Sequence, residues 1–377
     1  MTQGYLSSRQ IKNLIKAVGP KRTVLVEGLA GIGKTSIHYA LAAEEPFKSS
    51  YYIPKPIDCT QLSDGSVWMP DIDSTRGVSR ELPNERFGVS DESNAKVPGS
   101  KPALICLDEI AKTRQFIKDV LAPIVYERRV GNYEFPEGSI VFGCTNLSEE
   151  GLGDSMQAHL RNRLVIVKMR PPTKDEWVED FAIPYGLNEN VIAAAHQFPL
   201  VFESFTDYRT GGAKAGKPQR TDNPFIFDPS NQGQGQFVTP RSLHAASDVV
   251  DALNGGDQRL LQEALAGTVG HAFAANIVQM ISFGNQLPEY ARVVADPGGT
   301  PVPSNVMASV VQVYQFMKQV KDRTEAEAVA VYCNRMKSEL KSLMVNAIAN
   351  SNSALVNFSQ SATFASMLAE NRKFVGN

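Results

Sequence analysis

Residues 26–36 read VEGLAGIGKTS. Gly28, Ala30, Gly31 and Gly33 leave this stretch nearly without side chains, and Lys34, Thr35 and Ser36 follow at once. The run TVLVEG (23–28) before it has strand character, and KTSIHYALAAEE (34–45) after it has a helical pattern. A backbone this bare, beside one positive charge and two hydroxyls, is either a flexible turn or a cradle for anionic oxygens. The context selects the cradle.

Gly28, Gly33, Lys34 and Thr35 fit G-x-x-x-x-G-K-[ST] between a strand and a helix. In that setting glycines let consecutive backbone N–H groups converge on phosphate oxygens. Lys34 is expected to reach the β- and γ-phosphates, and Thr35 to place its hydroxyl on Mg²⁺. Gly31 and Ser36 complete the predicted contacts. A dinucleotide fingerprint is excluded, because no G-x-G-x-x-G can be written across Gly28, Gly31 and Gly33.

Further along, ALICLDEI (103–110) is a strand ending in two carboxylates. Asp108 can hold the Mg²⁺ shell through water, and Glu109 can polarise a water for in-line attack on a γ-phosphate. The next strand, SIVFGCTN (139–146), ends in Asn146, whose amide could hold that water. In QAHLRNRLVIVKM (157–169), Arg161 and Arg163 precede the last strand, where a neighbouring subunit could receive one of them. Arg163 is the preferred candidate and Arg161 the alternate. FVTPRSLHAA (237–246) carries Arg241 at a helix start, placed to reach over a nucleotide as a lid.

The apolar runs TVLVEG, YYIPKPIDC, ALICLDE, SIVFGCTN and LVIVKM alternate with helical patterns, which is the signature of a buried parallel sheet in an α/β fold. Residues 64–100 form a long polar connection rich in Pro, Gly, Ser and Asp, of a length that is usually functional or disordered. After Met169 the pattern is helical, interrupted by TGGAKAGKPQRTDNPFIFDPSNQGQGQ (210–236), which reads as a mobile insertion. The expected organisation is a nucleotide-binding core over 1–170, a helical lid over 171–284 with the insertion near 206–236, and a helical extension over 285–377. The apolar positions Val306, Val310, Val313, Phe316, Met317 and Val320 are expected to pack in a core.

Composition sets the outer bounds. In 377 residues, 42% are apolar, 21% are charged and the net charge is −2, which offers no bulk attraction to nucleic acid or to an anionic membrane. No apolar run reaches membrane-spanning length. Four scattered cysteines and five scattered histidines give neither a disulfide framework nor a zinc spacing. A reducing cytoplasmic setting is expected.

Taken together, the ordered motifs resemble those of an AAA+ ATPase, of the MoxR-like and dynein-related group. GLAGIGKTS resembles its Walker A and LICLDE its Walker B. ERRVGNYEFPEGSIVFGCTN (127–146) resembles its hairpin and first sensor, through R-x-G-x-Y-x-x-P-x-G. HLRNRL resembles the arginine-finger segment and selects Arg163, TPRSL resembles the second sensor and gives Arg241, and LPEYARVVADP (287–297) resembles a segment beyond the lid. The resemblance implies a five-stranded parallel sheet sandwiched by helices, an all-helical lid and a helical C-terminal extension. It also implies a homo-oligomeric, usually hexameric ring that uses ATP and Mg²⁺. Its members act as chaperone-like remodellers of protein partners, some with von Willebrand A-domains, and carry a pore-facing insert that would fall after Thr60. Two other functions share the core. A nucleic-acid motor or loader would use the basic spots KAVGPKR (16–22) and KAGKPQR (214–220), and an ATP-dependent scaffold would assemble without significant turnover.

Overall fold

All five strands anticipated from the apolar runs lie parallel in one sheet. In this computed structural model they are β2 (Val24–Gly28), β3 (Ile57–Asp58), β6 (Leu104–Asp108), β9 (Ile140–Asn146) and β10 (Val165–Met169). A short N-terminal strand, β1 (Tyr5–Leu6), adds a sixth at the edge, giving the order β1-β10-β2-β9-β6-β3. The described residues are 4–63, 65–87, 101–147, 161–205, 222–231, 233–253, 255–349 and 352–375. The chain divides into two compact units, Met1–Pro171 and Pro172–Asn377.

Strand alternation divides the sheet's side chains between two faces. Leu25, Ile105, Leu107 and Val141 share one apolar cluster with Ile117, Leu121 and Ile124 of the helix α4 (Gln115–Glu127). On the other face His38, from α2 (Ser36–Ala42), stacks over Phe142 with ring centroids 6.3 Å apart. Full burial of each such aliphatic side chain stabilises by about 1.5–3 kcal/mol, so the sheet is fixed by its two covered faces rather than by any one contact. The helix α1 (Ser8–Val18) begins with a capping box, in which Gln10 N–H donates to Ser7 Oγ and Ser7 N–H donates to Gln10 Oε1. The short α3 (Phe47–Ser50) leads toward β3.

The long polar connection contains an element that its composition concealed. β4 (Trp68–Asp73) and β5 (Val78–Pro83) pair antiparallel as a hairpin, with Met69, Ile72, Val78 and Leu82 exposed. With neither face covered along most of its length, the hairpin never acquires the apolar alternation that marks a half-buried strand. It rests on a second, smaller hairpin, β7 (Arg129–Val130) and β8 (Tyr133–Glu134). There Glu81 N–H donates to Asn132 Oδ1 at 2.6 Å, and Asn132 N–H donates to Glu81 O at 3.3 Å. Gly131 (φ 57°) must be glycine for this contact, since a Cβ would stand 2.6 Å from Glu81 O. Residues 88–100 of the connection lie outside the described residues.

The second unit is helical and built on one core. Trp177, Val191, Leu243, Phe273, Val310, Tyr314, Tyr332 and Met344 all belong to it, so residues 285–377 share the core of the residues before them. Val310, Val313 and Phe316 are buried as expected, whereas Val306 is exposed at its helix start. Of the expected insertion, residues 206–221 lie outside the described residues, but its last part is packed. Ile226 is buried, Phe225 meets Phe273 edge-on, and Asn223 Nδ2 donates to Leu200 O and Glu203 Oε2.

His196 lies against this helical core, its Nδ1 3.3 Å from the hydroxyl of the buried Tyr314. Burial, aided by Lys174, pushes its pKa down to about 4. The unfolded chain therefore binds a proton more readily than the folded one between about pH 6.5 and pH 4, and stability falls as pH drops through that window. Its share of the loss is on the order of 3 kcal/mol. Urea unfolding of wild type and His196→Leu should show a difference that moves in favour of the variant as pH falls from about 7 to about 4.5. A pH-independent difference would exclude His196 as a source of the dependence.

Candidate phosphate site

The same alternation that builds the core places the polar residues. Asp108 ends β6 on the face of Leu104 and Cys106, and Asn146 ends β9 on the face of Phe142 and Cys144. That face is the one α2 covers, and the glycine-rich loop runs directly into α2. Register supports the convergence, since Gly28 pairs with Asn146 across β2 and β9. Lys34 and Thr35 thus meet Asn146 and Asp108 at the carboxyl edge of the sheet, where ligands of open α/β folds bind.

The contacts are specific. Lys34 Nζ is buried and donates to Gly28 O at 2.9 Å, Leu29 O at 2.7 Å and Asn146 Oδ1 at 2.7 Å. Thr35 Oγ1 donates to Asp108 Oδ2 at 2.8 Å. Asp108 Oδ1 accepts from Glu109 N–H at 3.1 Å, so both oxygens of Asp108 are engaged. Glu109 stands at a left-handed backbone position (φ 53°, ψ 33°), unusual for a residue with a side chain. Its Oε2 is buried and accepts no hydrogen bond, although Lys112 Nζ lies 3.2 Å away as an ion pair. The thiols of Cys59 and Cys106 are raised by burial foremost, then by the Asp108 carboxylate at Cys59 and by Cys144 ahead of Asp108 at Cys106, so the apolar floor beneath the site stays uncharged.

The glycines divide the work between packing and binding. Gly28 is required by packing, because a Cβ would come within 2.8 Å of Ile32 Cδ1 and 3.2 Å of Met169 O. Gly31 (φ 75°) and Gly33 (φ 96°) take the conformation that turns the loop. At Gly33 a Cβ would meet only Ser36, at 3.8 Å, which leaves the space above the loop open. A buried ammonium, an open glycine loop and a hydroxyl–carboxylate pair of hard oxygens fit a phosphate chain with Mg²⁺.

Arg161 and Arg163 stand apart from this cluster. Arg161 Nη2 lies 4.0 Å from Glu27 Oε1, and the Arg163 guanidinium lies over the Tyr126 ring of α4, 5.0 Å from its centroid. Among the described residues no arginine forms an ion pair or hydrogen bond with Thr35, Asp108 or Glu109. Residues 148–160, including part of the segment before Arg161, lie outside the described residues. Arg241 belongs to the second unit, exposed in the first turn of the Pro240–Leu253 helix. Lys112 and Glu27 are not among the residues that the motifs single out. For Lys112 the available signal was the Glu-x-x-Lys spacing at a strand end, which places two opposite charges one turn apart.

No model of a known protein family matches the chain, and no curated protein matches it. Among solved structures it is similar to NtrX from Brucella abortus, with 14% identity over 99% of this chain and 69% of that chain and a TM-score of 0.36. The same protein in complex with ADP gives 14% identity over 98% and 68%, with a TM-score of 0.33. A mutant of Thermotoga maritima RuvB gives 14% identity over 82% and 83%, with a TM-score of 0.36. Likeness at this level says nothing of chemistry, which is read from the side chains.

Proposed function

We propose that the chain is an AAA+ ATPase that hydrolyses ATP and works as a homo-oligomeric ring to remodel, activate or disassemble a protein partner, in the manner of MoxR-like motors. The observation that carries the reading is the meeting of Lys34, Thr35, Asp108 and Asn146 at one sheet edge, with Glu109 adjacent. In this reading Gly28, Gly31, Gly33, Lys34, Thr35 and Ser36 hold the triphosphate. Thr35 and Asp108 hold Mg²⁺, which draws charge from the phosphate oxygens. Glu109 takes the proton of the attacking water. Arg163, or Arg161 in its place, acts on the site of a neighbouring subunit, and Arg241 follows nucleotide state from the helical unit.

A protein client is favoured over nucleic acid by the β4–β5 hairpin. It offers Met69, Ile72, Val78 and Leu82 to a partner, and its acidic Asp71, Asp73 and Glu81 offset Arg76 and Arg80. A nucleic-acid contact surface would instead carry a basic excess. Capture with Glu109→Gln protein tests this. Held with ATP, the variant should retain a protein client that ADP releases. Turnover stimulated by DNA and falling steeply with salt would instead make the chain a nucleic-acid motor.

A further inference from the structure

Glu109 is held in an unusual way. Its backbone occupies the left-handed region at φ 53°, a conformation costing roughly 1–2 kcal/mol for a residue of this type. Its Oε2 is withdrawn from solvent and accepts no hydrogen bond. An acceptor left this way is costly, and it persists where the surroundings compel it. Asp108, one residue earlier, shows the contrast: each of its oxygens takes a hydrogen bond.

Lys112 supplies the compulsion. Its ammonium lies 3.2 Å from Oε2, and no other cation is paired with Glu109 among the described residues. The approach is an ion pair without hydrogen-bond alignment. The turn carrying Lys112 is itself fixed. Lys112 N–H donates to Glu109 O at 3.0 Å, closing the turn on the residue it serves. Ile110 and Ala111 are buried before it. Thr113 after it is buried, and its Oγ1 donates to Cys59 O at 2.7 Å, tying the turn to the end of β3. Lys112 therefore has buried neighbours on both sides while its ammonium meets Glu109.

From this geometry we infer that Lys112 is a positioning residue for hydrolysis: its charge holds the Glu109 carboxylate by the solvent-withdrawn Oε2 and so fixes in place the base to which water gives its proton. The inference rests on the hydrolytic reading given above. Without the ammonium, no cation among the described residues holds the carboxylate, and Oε2 would turn toward water. A solvated general base loses the fixed geometry on which proton transfer depends.

Steady-state ATP turnover of the full chain decides the matter, using wild type, Lys112→Met and Lys112→Arg. Lys112→Met should lower kcat about ten-fold with KM changed less than about two-fold, and Lys112→Arg should recover most of kcat. A thermal midpoint for each variant separates this from loss of fold, since a partly exposed ion pair contributes little to stability. Three results would overturn the inference. They are turnover in Lys112→Met equal to or above wild type, a loss confined to KM, and no recovery with arginine. Absence of turnover in wild type would instead remove the hydrolytic reading, and the inference with it.

Discussion

Glu109→Gln is expected to lower phosphate release from ATP by about 10²–10⁴-fold while leaving nucleotide affinity within a few-fold of wild type. The size follows from the division of labour between two neighbouring carboxylates. Both oxygens of Asp108 are engaged, one by the Thr35 hydroxyl and one by the Glu109 amide, which suits a residue that holds a metal shell. Glu109 has an oxygen that accepts nothing. Of the two, Glu109 is the carboxylate not committed to the Thr35 hydroxyl or a backbone amide, and it is the one proposed to take the proton of water. The amide of glutamine keeps the shape and loses the basicity, so binding and chemistry separate. Single-turnover phosphate release, read beside equilibrium binding of a fluorescent ATP analogue, checks both halves. Retained turnover would mean that another group activates the water.

How much of the fold and site is legible in the sequence depends on what fixes each residue. β2, β6 and β9 are buried strands whose apolar runs are compelled by the two covered faces, β10 carries a like run while half-buried, and the strand ends follow from the runs. Asp108 and Asn146 close two of those runs, so the sequence alone puts both at the sheet edge. Lys34 is readable because glycines at that spacing, between a strand and a helix, suit phosphate and little else. Its partner is not: Lys34 donates to Asn146 Oδ1, a contact between residues 112 apart in the chain that no motif pairs. The β4–β5 hairpin is illegible for the opposite reason, since an uncovered element needs no apolar pattern. Lys112 escapes notice because a lone lysine after a strand is ordinarily solvated, and only the three-dimensional turn reveals what it faces. Buried residues on both sides of residue 285 share one core, which a change of sequence pattern does not reveal.

The arginines bear on the remaining part of the account. Within the chain, Arg161 is near Glu27, Arg163 lies over Tyr126, and neither meets the phosphate cluster. A developing γ-phosphate charge would then lack its guanidinium unless another protomer provides one, an effect worth about 10³–10⁵-fold where it operates. The assembly proposed is head-to-tail, each protomer giving an arginine to one neighbour and receiving one from the other. Lys34→Ala alone should fail to bind the triphosphate productively, and Arg163→Ala alone should bind but not turn over.

Mixing those two inactive proteins tests the shared site most directly. In a randomly mixed ring, about one seam in four joins an intact cradle to an intact arginine. Turnover near a quarter of wild type, appearing only when both proteins are present, is the predicted result. No recovery, in rings shown by co-purification to contain both variants, would contradict a site completed between subunits.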